Sequence, residues 1–223
     1  MDAKLTQTDV KKVYNSLAWI YDVWGKLTET QAKERALNLA NIKNGQAILE
    51  VALGTGFTFK EIVSLNADGL NVGIDISDKM IQLAEKRISK RPASGKVELK
   101  QASAFDIPYP EQTFDLILNC YMLDLIPFAE MGSIMTEFHR LLKPGGKLAL
   151  TNMTSGKSKL SHFYGYLSRL SPKLMGGCRP VDLKEMLVQH DFEVKTQDYV
   201  EQFFFPSEIL LAVKCSTTHR TLM

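Results

Sequence analysis

The sequence predicts an α/β protein: a doubly wound, mostly parallel seven-stranded sheet with an antiparallel closing strand and helices on both faces. Three observations carry this. Short apolar runs alternate with segments of helical periodicity between residues 47 and 152, the order expected of strand–helix–strand units. The first apolar run rises to an acidic residue, Glu50, and then breaks into a small-residue turn, Ala52-Leu53-Gly54-Thr55-Gly56. The second run ends in Asp75, 19 residues after Gly56. A glycine turn after one strand and an acid at the end of the next is the pattern of a nucleoside site on such a sheet.

The elements follow in order. Residues 8–24 place Val10, Val13, Leu17, Ile20 and Tyr21 at roughly helical spacing, and residues 28–41 form a second helix begun by Thr28 with Glu29 in its first turn. Asn44-Gly45 turns the chain into strand one, Ala47–Ala52, and Phe57–Ser64 is the helix after the glycine turn. Strand two is Asn71–Asp75, and Ser77 caps a helix running to about Lys90. Pro92–Gly95 turns into strand three, Val97–Ala102, and a proline-marked loop feeds strand four, Phe114–Cys120. A helix from Phe128 to Leu142 is stopped by Lys143-Pro144-Gly145-Gly146, and Lys147–Asn152 is strand five. Residues 154–180, rich in Ser, Gly, Tyr and Lys, are an insertion over the site. Asp182–His190 is the last helix, and Phe192–Gln197 and Ile209–Lys214 are a closing antiparallel pair.

Composition bounds the rest. With 223 residues, 45% hydrophobic, the chain suits a single domain over 1–223 with a full core. A net charge of +2 gives no case for nucleic acid. Cys120, Cys178 and Cys215 form no C-x-x-C pair, which points to a reducing compartment and no zinc or other metal site. The polar first residues do not read as a signal peptide, and no apolar run nears the ~20 residues of a membrane span. A cytoplasmic location is expected.

In a parallel sheet the ligand lies at the carboxyl ends of the strands. Gly54 and Gly56 keep the first turn small enough for a ligand to reach the backbone. Asp75 is placed to accept hydrogen bonds from two ribose hydroxyls. A dinucleotide site would need a third glycine at Phe59, and a P-loop would need G-K-S/T where Thr58-Phe59-Lys60 stands. A nucleoside without a pyrophosphate fits better.

The chain resembles the class I S-adenosylmethionine-dependent methyltransferases, with their Rossmann-like sheet, and in particular the type 11 and ubiquinone/menaquinone-methyltransferase-like groups. The resemblance rests on four motifs in order: LEVALGTGF, GIDIS followed by Met80, the A-x-D-I-P-Y-P-x-x-T-F-D block at 104–115, and LLKPGGKLAL. It implies a cofactor held by Glu50, Ala52, Gly54, Gly56, Asp75, Ile76, Met80, Ser103, Ala104 and Asn119. Tyr14 and Tyr21 would stand on an N-terminal helix, part of a lid over 8–41. The rings of these tyrosines packing against the sheet is an equally weighted reading.

Three departures from the family pattern matter. Ala52 replaces the first glycine of the turn, read as a modest change in pocket shape. Ser103 stands where the family carries Asp or Asn beside the adenine, with Asp106 as a substitute. Asn119-Cys120-Tyr121-Met122 lacks the prolines of base and glutamine N-methyltransferases. The acceptor expected is a small or lipid-like molecule, a quinone precursor or a phospholipid amine.

Asp124, just past strand four, is the candidate general base, with Tyr21 a second catalytic candidate. A loop carboxylate is the plainer reading of Asp124. His139 precedes strand five and is rejected as catalytic. His162, Tyr164 and Tyr166 suit either an acceptor pocket or cap packing. Lys157, Lys159, Arg169 and Lys173, with Phe163, Leu167, Leu170 and Leu174, make 157–174 fit for an anionic membrane, a lipid acceptor or a solvated amphipathic helix. Arg179 is a candidate contact for an acidic substrate. The rival functions are a non-catalytic S-adenosylmethionine-binding sensor or partner subunit, and a nicotinamide-dependent oxidoreductase.

Overall fold

A computed structural model describes residue 25 and residues 27–89, 94–157 and 179–215. The helix expected over 8–24, most of the 154–180 segment and the tail after Cys215 lie outside the described residues. Seven strands form one sheet: β1 (Ala47–Val51), β2 (Leu70–Asp75), β3 (Lys96–Gln101), β4 (Phe114–Cys120), β5 (Leu142–Met153), β6 (Phe192–Gln202) and β7 (Phe205–Lys214). Their spatial order is β3-β2-β1-β4-β5-β7-β6. Only β7 runs against the others, pairing antiparallel with both β5 and β6. The helices are α1 (Thr30–Ala40), α2 (Phe57–Leu65), α3 (Asp78–Ile88), α4 (Phe128–Leu141) and α5 (Lys184–Gln189), with a short 3₁₀ turn at Leu123–Leu125.

Successive side chains on the strands serve opposite layers. Ile48, Leu116, Leu118 and Ala149 pack with Ala40 of α1, Phe59 and Ile62 of α2 and Ala84 of α3. Leu49, Val51, Ile117, Leu148 and Leu150 pack with Ile134 and Phe138 of α4 and Leu187 of α5. Both sheet faces are therefore covered, which is why the central strands are apolar without a polar face. On α1 the buried residues are Ala32, Ala36 and Ala40. Their spacing of four makes one small-residue stripe, and the helix lies against β5, β6 and β7 on it.

Polar groups fix how the elements meet. Ser77 caps α3 as expected, its hydroxyl accepting from the amide of Met80 at 3.2 Å. At the amino edge, the fully buried Asn66 accepts from the amides of Gly45 and Gln46 and donates to Gln46 O and to Asn71. The proline block is tied to α4. Glu137 accepts from the amide of Ile107 at 2.8 Å, and Arg140 donates to the carbonyls of Ile107 and Tyr109 while paired to Glu137.

The closing strands are longer than the sequence predicts. β6 and β7 run to a two-residue loop, Phe203-Phe204, whose residues both take positive φ (47° and 63°). Such loops normally use Asn and Gly, so two phenylalanines hide the turn. β5 likewise begins at Leu142. The Lys143–Gly146 stretch is an irregularity between the pairs Phe114↔Leu142 and Leu116↔Lys147.

Truncating Glu137 leaves the buried amide of Ile107 without its acceptor, at a cost of about 1–3 kcal/mol. Glu137→Ala is expected to lower the urea midpoint accordingly, with an unchanged m-value.

Candidate functional site

The carboxyl ends of β1, β2 and β4 meet at one edge, where the strand order reverses between β1 and β4. Asp75 ends β2 and organises this edge. Its Oδ2 accepts from the amide of Gly54 and its Oδ1 from the amide of Ser77, each at 2.9 Å. One carboxylate thus sets both the turn after β1 and the start of α3. Burial pushes its pKa up, against the opposing pull of the Ser77, Gly54 and Ile76 amides.

Glu50 lies one strand away, 3% exposed, and among the described residues its Oε2 has no hydrogen-bond donor. Desolvation raises its pKa to about 8, with Asp75 adding to the effect and Lys33 opposing it. A buried oxygen with no donor is costly. It marks a place where a cation or an N–H would be held. Asn119 is similar: its amide nitrogen donates to Val51 O at 2.9 Å, while its buried Oδ1 has no donor among the described residues.

The turn itself is strained where the sequence hints at it. Ala52 takes φ 57°, the left-handed region that costs a residue with a Cβ roughly 1–2 kcal/mol. The expected modest change in pocket shape is therefore also a backbone strain. Tyr121, just past β4, takes φ 55°. It is held there by its amide on Thr151 O at 2.7 Å and by its hydroxyl against Ser207 Oγ at 2.7 Å. The residues after the two central strands are thus both in a sparsely populated conformation, the kind of strain that gathers at functional sites.

The two turn glycines differ in purpose. Among the described residues a Cβ on Gly54 would meet nothing within 4 Å, so they leave the turn open above it. A Cβ on Gly56 would lie 2.8 Å from Ala84 Cβ, so Gly56 is small in order to pack on α3. Arg87 of α3 also donates to Thr55 of the turn at 2.7 Å.

Beyond β2, Met80 is buried at the first turn of α3, and the carbonyl of Ile76 accepts from Gln101. The hydroxyl of Ser103 accepts from the amide of Phe105 at 3.3 Å, and Ala104 packs against the core. Asp106, the expected substitute for Ser103, is exposed. Asp124 is fully buried in the turn after β4, and its Oδ2 accepts from the amide of Met153 at the end of β5, at 3.2 Å. Arg179 donates to Ile126 O and stacks 3.9 Å from the Phe128 ring. His139 stacks edge-on against Phe192, which begins β6 at the opposite edge of the sheet. Tyr14, Tyr21, His162, Tyr164, Tyr166 and most of 157–174 lie outside the described residues.

One site residue goes unread in the sequence. Lys33 of α1 is 19% exposed, pairs with Glu29 at 2.7 Å, and sits 5.5 Å from the Tyr121 ring. Burial works against its charge; Glu29, with Cys120 and Glu50, outweighs it and holds the ammonium above its ordinary pKa. The available signal is its place beside the Ala32–Ala36–Ala40 stripe. On the same face, burial and the neighbouring Glu50 push the Cys120 thiol up to about 12, so it is no nucleophile.

Residues 48–146 match the methyltransferase domain family. The chain is similar to the demethylmenaquinone methyltransferase of Lactobacillus johnsonii, 27% identical over 217 residues, covering 85% of this chain and 87% of that one. A ubiquinone/menaquinone biosynthesis C-methyltransferase from Marinomonas is 28% identical over 172 residues, covering 74% and 68%. Among solved structures, the magnesium protoporphyrin IX methyltransferase of Synechocystis PCC 6803 with bound SAH superimposes with a TM-score of 0.73 at 17% identity, covering 94% of this chain and all of that one. The [4+2]-cyclase SpnF superimposes with a TM-score of 0.75 at 18% identity, covering 96% and 97%. At these identities the structural likeness is one of fold.

Glu50 titrates far above its ordinary 4.5 in the folded protein. Its contribution to stability is therefore complete below about pH 4.5 and lost as the pH rises through about 8. Glu50→Gln stays neutral throughout. Urea titrations from pH 5 to 9 are expected to show wild type losing ground to Glu50→Gln, by on the order of 1 kcal/mol per pH unit at most. A constant difference would show that Glu50 is ionised in the folded protein.

Proposed function

We propose that this chain, a class I S-adenosylmethionine-dependent methyltransferase of the ubiquinone/menaquinone-methyltransferase-like group, methylates a small or lipid-like acceptor, a quinone precursor before a phospholipid amine. The observation that carries the cofactor side is the set of hydrogen-bond acceptors at the carboxyl edge. Among the described residues Glu50 Oε2 and Asn119 Oδ1 are buried without donors and Gly54 is open above its backbone, and Asp75 stands at the end of β2. These residues fit a nucleoside that carries an ammonium group.

In this reading Asp75 takes the ribose hydroxyls and Glu50 the ammonium of the methionine end. Met80 and Ile76 flank the adenine, with Ser103 and Ala104 at its edge. When bound, the cofactor supplies an electrophilic methyl group on a sulfonium. What the protein adds is alignment and exclusion of water. Asn119, near the end of β4, presents its Oδ1 there as a further hydrogen-bond acceptor.

The acceptor side is supported by the relatives at 27% and 28% identity, both named for quinone-pathway methylation. The acceptor would lie over the ends of β4 and β5, beside the 120–128 loop. No helix among the described residues is long and apolar enough to cross a membrane. A lipid-like acceptor would then be met at a membrane surface or in solution.

Asp124 is the candidate to remove the acceptor's proton, and its bond to Met153 also anchors the turn it stands in. Labelled methyl transfer from S-adenosylmethionine into demethylmenaquinone-type and phospholipid acceptors tests the function directly, with a labelled quinone product expected. Transfer into none of them in a whole-cell extract would favour a binding protein. With the acceptor in hand, Asp124→Asn is expected to cut kcat by roughly a hundredfold or more while leaving the melting temperature near wild type. A loss of stability with full turnover would make it an anchor only.

A further inference from the structure

We propose that the carboxyl edge of the sheet docks on an anionic lipid bilayer, with the β6–β7 loop, Phe203-Phe204, entering the headgroup boundary. Docking goes beyond the reaction proposed above and needs neither cofactor nor acceptor.

The three consecutive phenylalanines of this hairpin have different surroundings. Phe205 is buried and packs edge-on against Tyr121, whereas Phe203 and Phe204 are 65% and 50% exposed. Both exposed residues take positive φ, a conformation that is uncommon for bulky side chains and that Asn and Gly adopt at less cost. A tip that holds two large apolar side chains in water on a strained backbone is not the best turn for the hairpin. Strain of this kind gathers where the side chains themselves are used, and an apolar tip suits insertion into a lipid interface.

Its place in the fold points the same way. Met153 pairs with Ser207 at the carboxyl end of β5, so Phe204, three residues before Ser207, stands roughly 10 Å beyond that strand end. Leu27 is exposed four residues before Gln31, whose amide is bonded to Gln202 beside the loop. Phe128 is exposed at the start of α4, after the β4 loop. Of the exposed large apolar residues among those described, only Leu65 and Val188 lie elsewhere, at the far ends of α2 and α5.

Charge selects the occupant. Residues 154–180 carry Lys157, Lys159, Arg169, Lys173 and Arg179 and no acid, in a chain whose net charge is only +2. Without them the chain is net acidic, so its positive charge is concentrated in one segment. That segment joins the described structure at this edge at both ends. The amide of Lys157 is bonded to the hydroxyl of Tyr199 in β6, its ammonium lies 4.4 Å from the centre of the Tyr199 ring, and Arg179 is bonded to Ile126 O past β4. Inserting aromatic side chains and a basic segment joined to the same edge are two signals that together hold a protein on an anionic bilayer. A second copy of the chain would bring like charge against like.

The test is co-sedimentation of the full chain with vesicles of phosphatidylcholine alone, and of phosphatidylcholine with an equal amount of phosphatidylglycerol. Wild type is expected to bind the anionic vesicles about tenfold or more tightly than the neutral ones, and to be released by high salt. Phe203→Asn/Phe204→Gly is expected to weaken binding to the anionic vesicles about tenfold or more. Because those residues suit the turn, its melting temperature is expected at or above that of wild type. Phe203→Trp/Phe204→Trp is expected to bind at least as tightly as wild type, which separates a lost anchor from a lost fold. Wild type that stays in solution with the anionic vesicles would overturn the assignment, as would an Asn-Gly variant that binds as wild type does or a Trp variant that binds as weakly as the Asn-Gly one. Absent vesicle binding, with the Asn-Gly change turning a dimer into a monomer in light scattering, would also overturn it and make the tip a contact between copies.

Discussion

The site hangs on one buried carboxylate. Asp75 ends β2 and accepts simultaneously from the turn after β1 and from the start of α3. That link joins two loops more than twenty positions apart, beside the Arg87–Thr55 bond and the Gly56–Ala84 contact. A carboxylate can do this because each oxygen accepts more than one hydrogen bond, leaving lone pairs for a ligand. Desolvation makes the arrangement costly, and the amides of Ser77, Gly54 and Ile76 offset part of that cost.

Around Asp75 the protein keeps several unfavourable features. Glu50 is buried with an oxygen lacking a donor, Ala52 and Tyr121 sit at positive φ, and Lys33 holds a charge largely away from water. A fold tolerates such features when the surroundings over-determine them. Here the surroundings are the two apolar layers on either face of β1 and β4. All of these features are at the carboxyl ends of the central strands or, in the case of Lys33, packed beside them. The apolar layers cover the sheet, and the positive-φ residues and orphan buried oxygens lie at its rim.

Much of this was legible in the sequence, for physical reasons. The strand alternation, the Ser77 cap and the acid at the end of β2 are local signals, carried by short windows of residue type. The order of the first five strands followed from that alternation, but three features did not. The β6–β7 loop uses Phe203-Phe204 in place of turn residues, so the closing strands looked shorter than they are. Gly56 looked like a ligand-facing glycine, yet its size is set by Ala84, 28 positions away in the chain. Lys33 reads as an ordinary helix-surface lysine, and only packing against the sheet shows it at the site. These are contacts between distant positions, which no local pattern reports.

The central claim is that buried acids at the strand ends receive a zwitterionic nucleoside, with Glu50 losing its proton to do so. Titrating S-adenosylhomocysteine into the protein near pH 7, in buffers of different ionisation enthalpy, measures this directly. The account predicts binding with net proton release, since Glu50 titrates at about 8 in the free protein. Binding with no dependence on the buffer, or no binding at all, would contradict it.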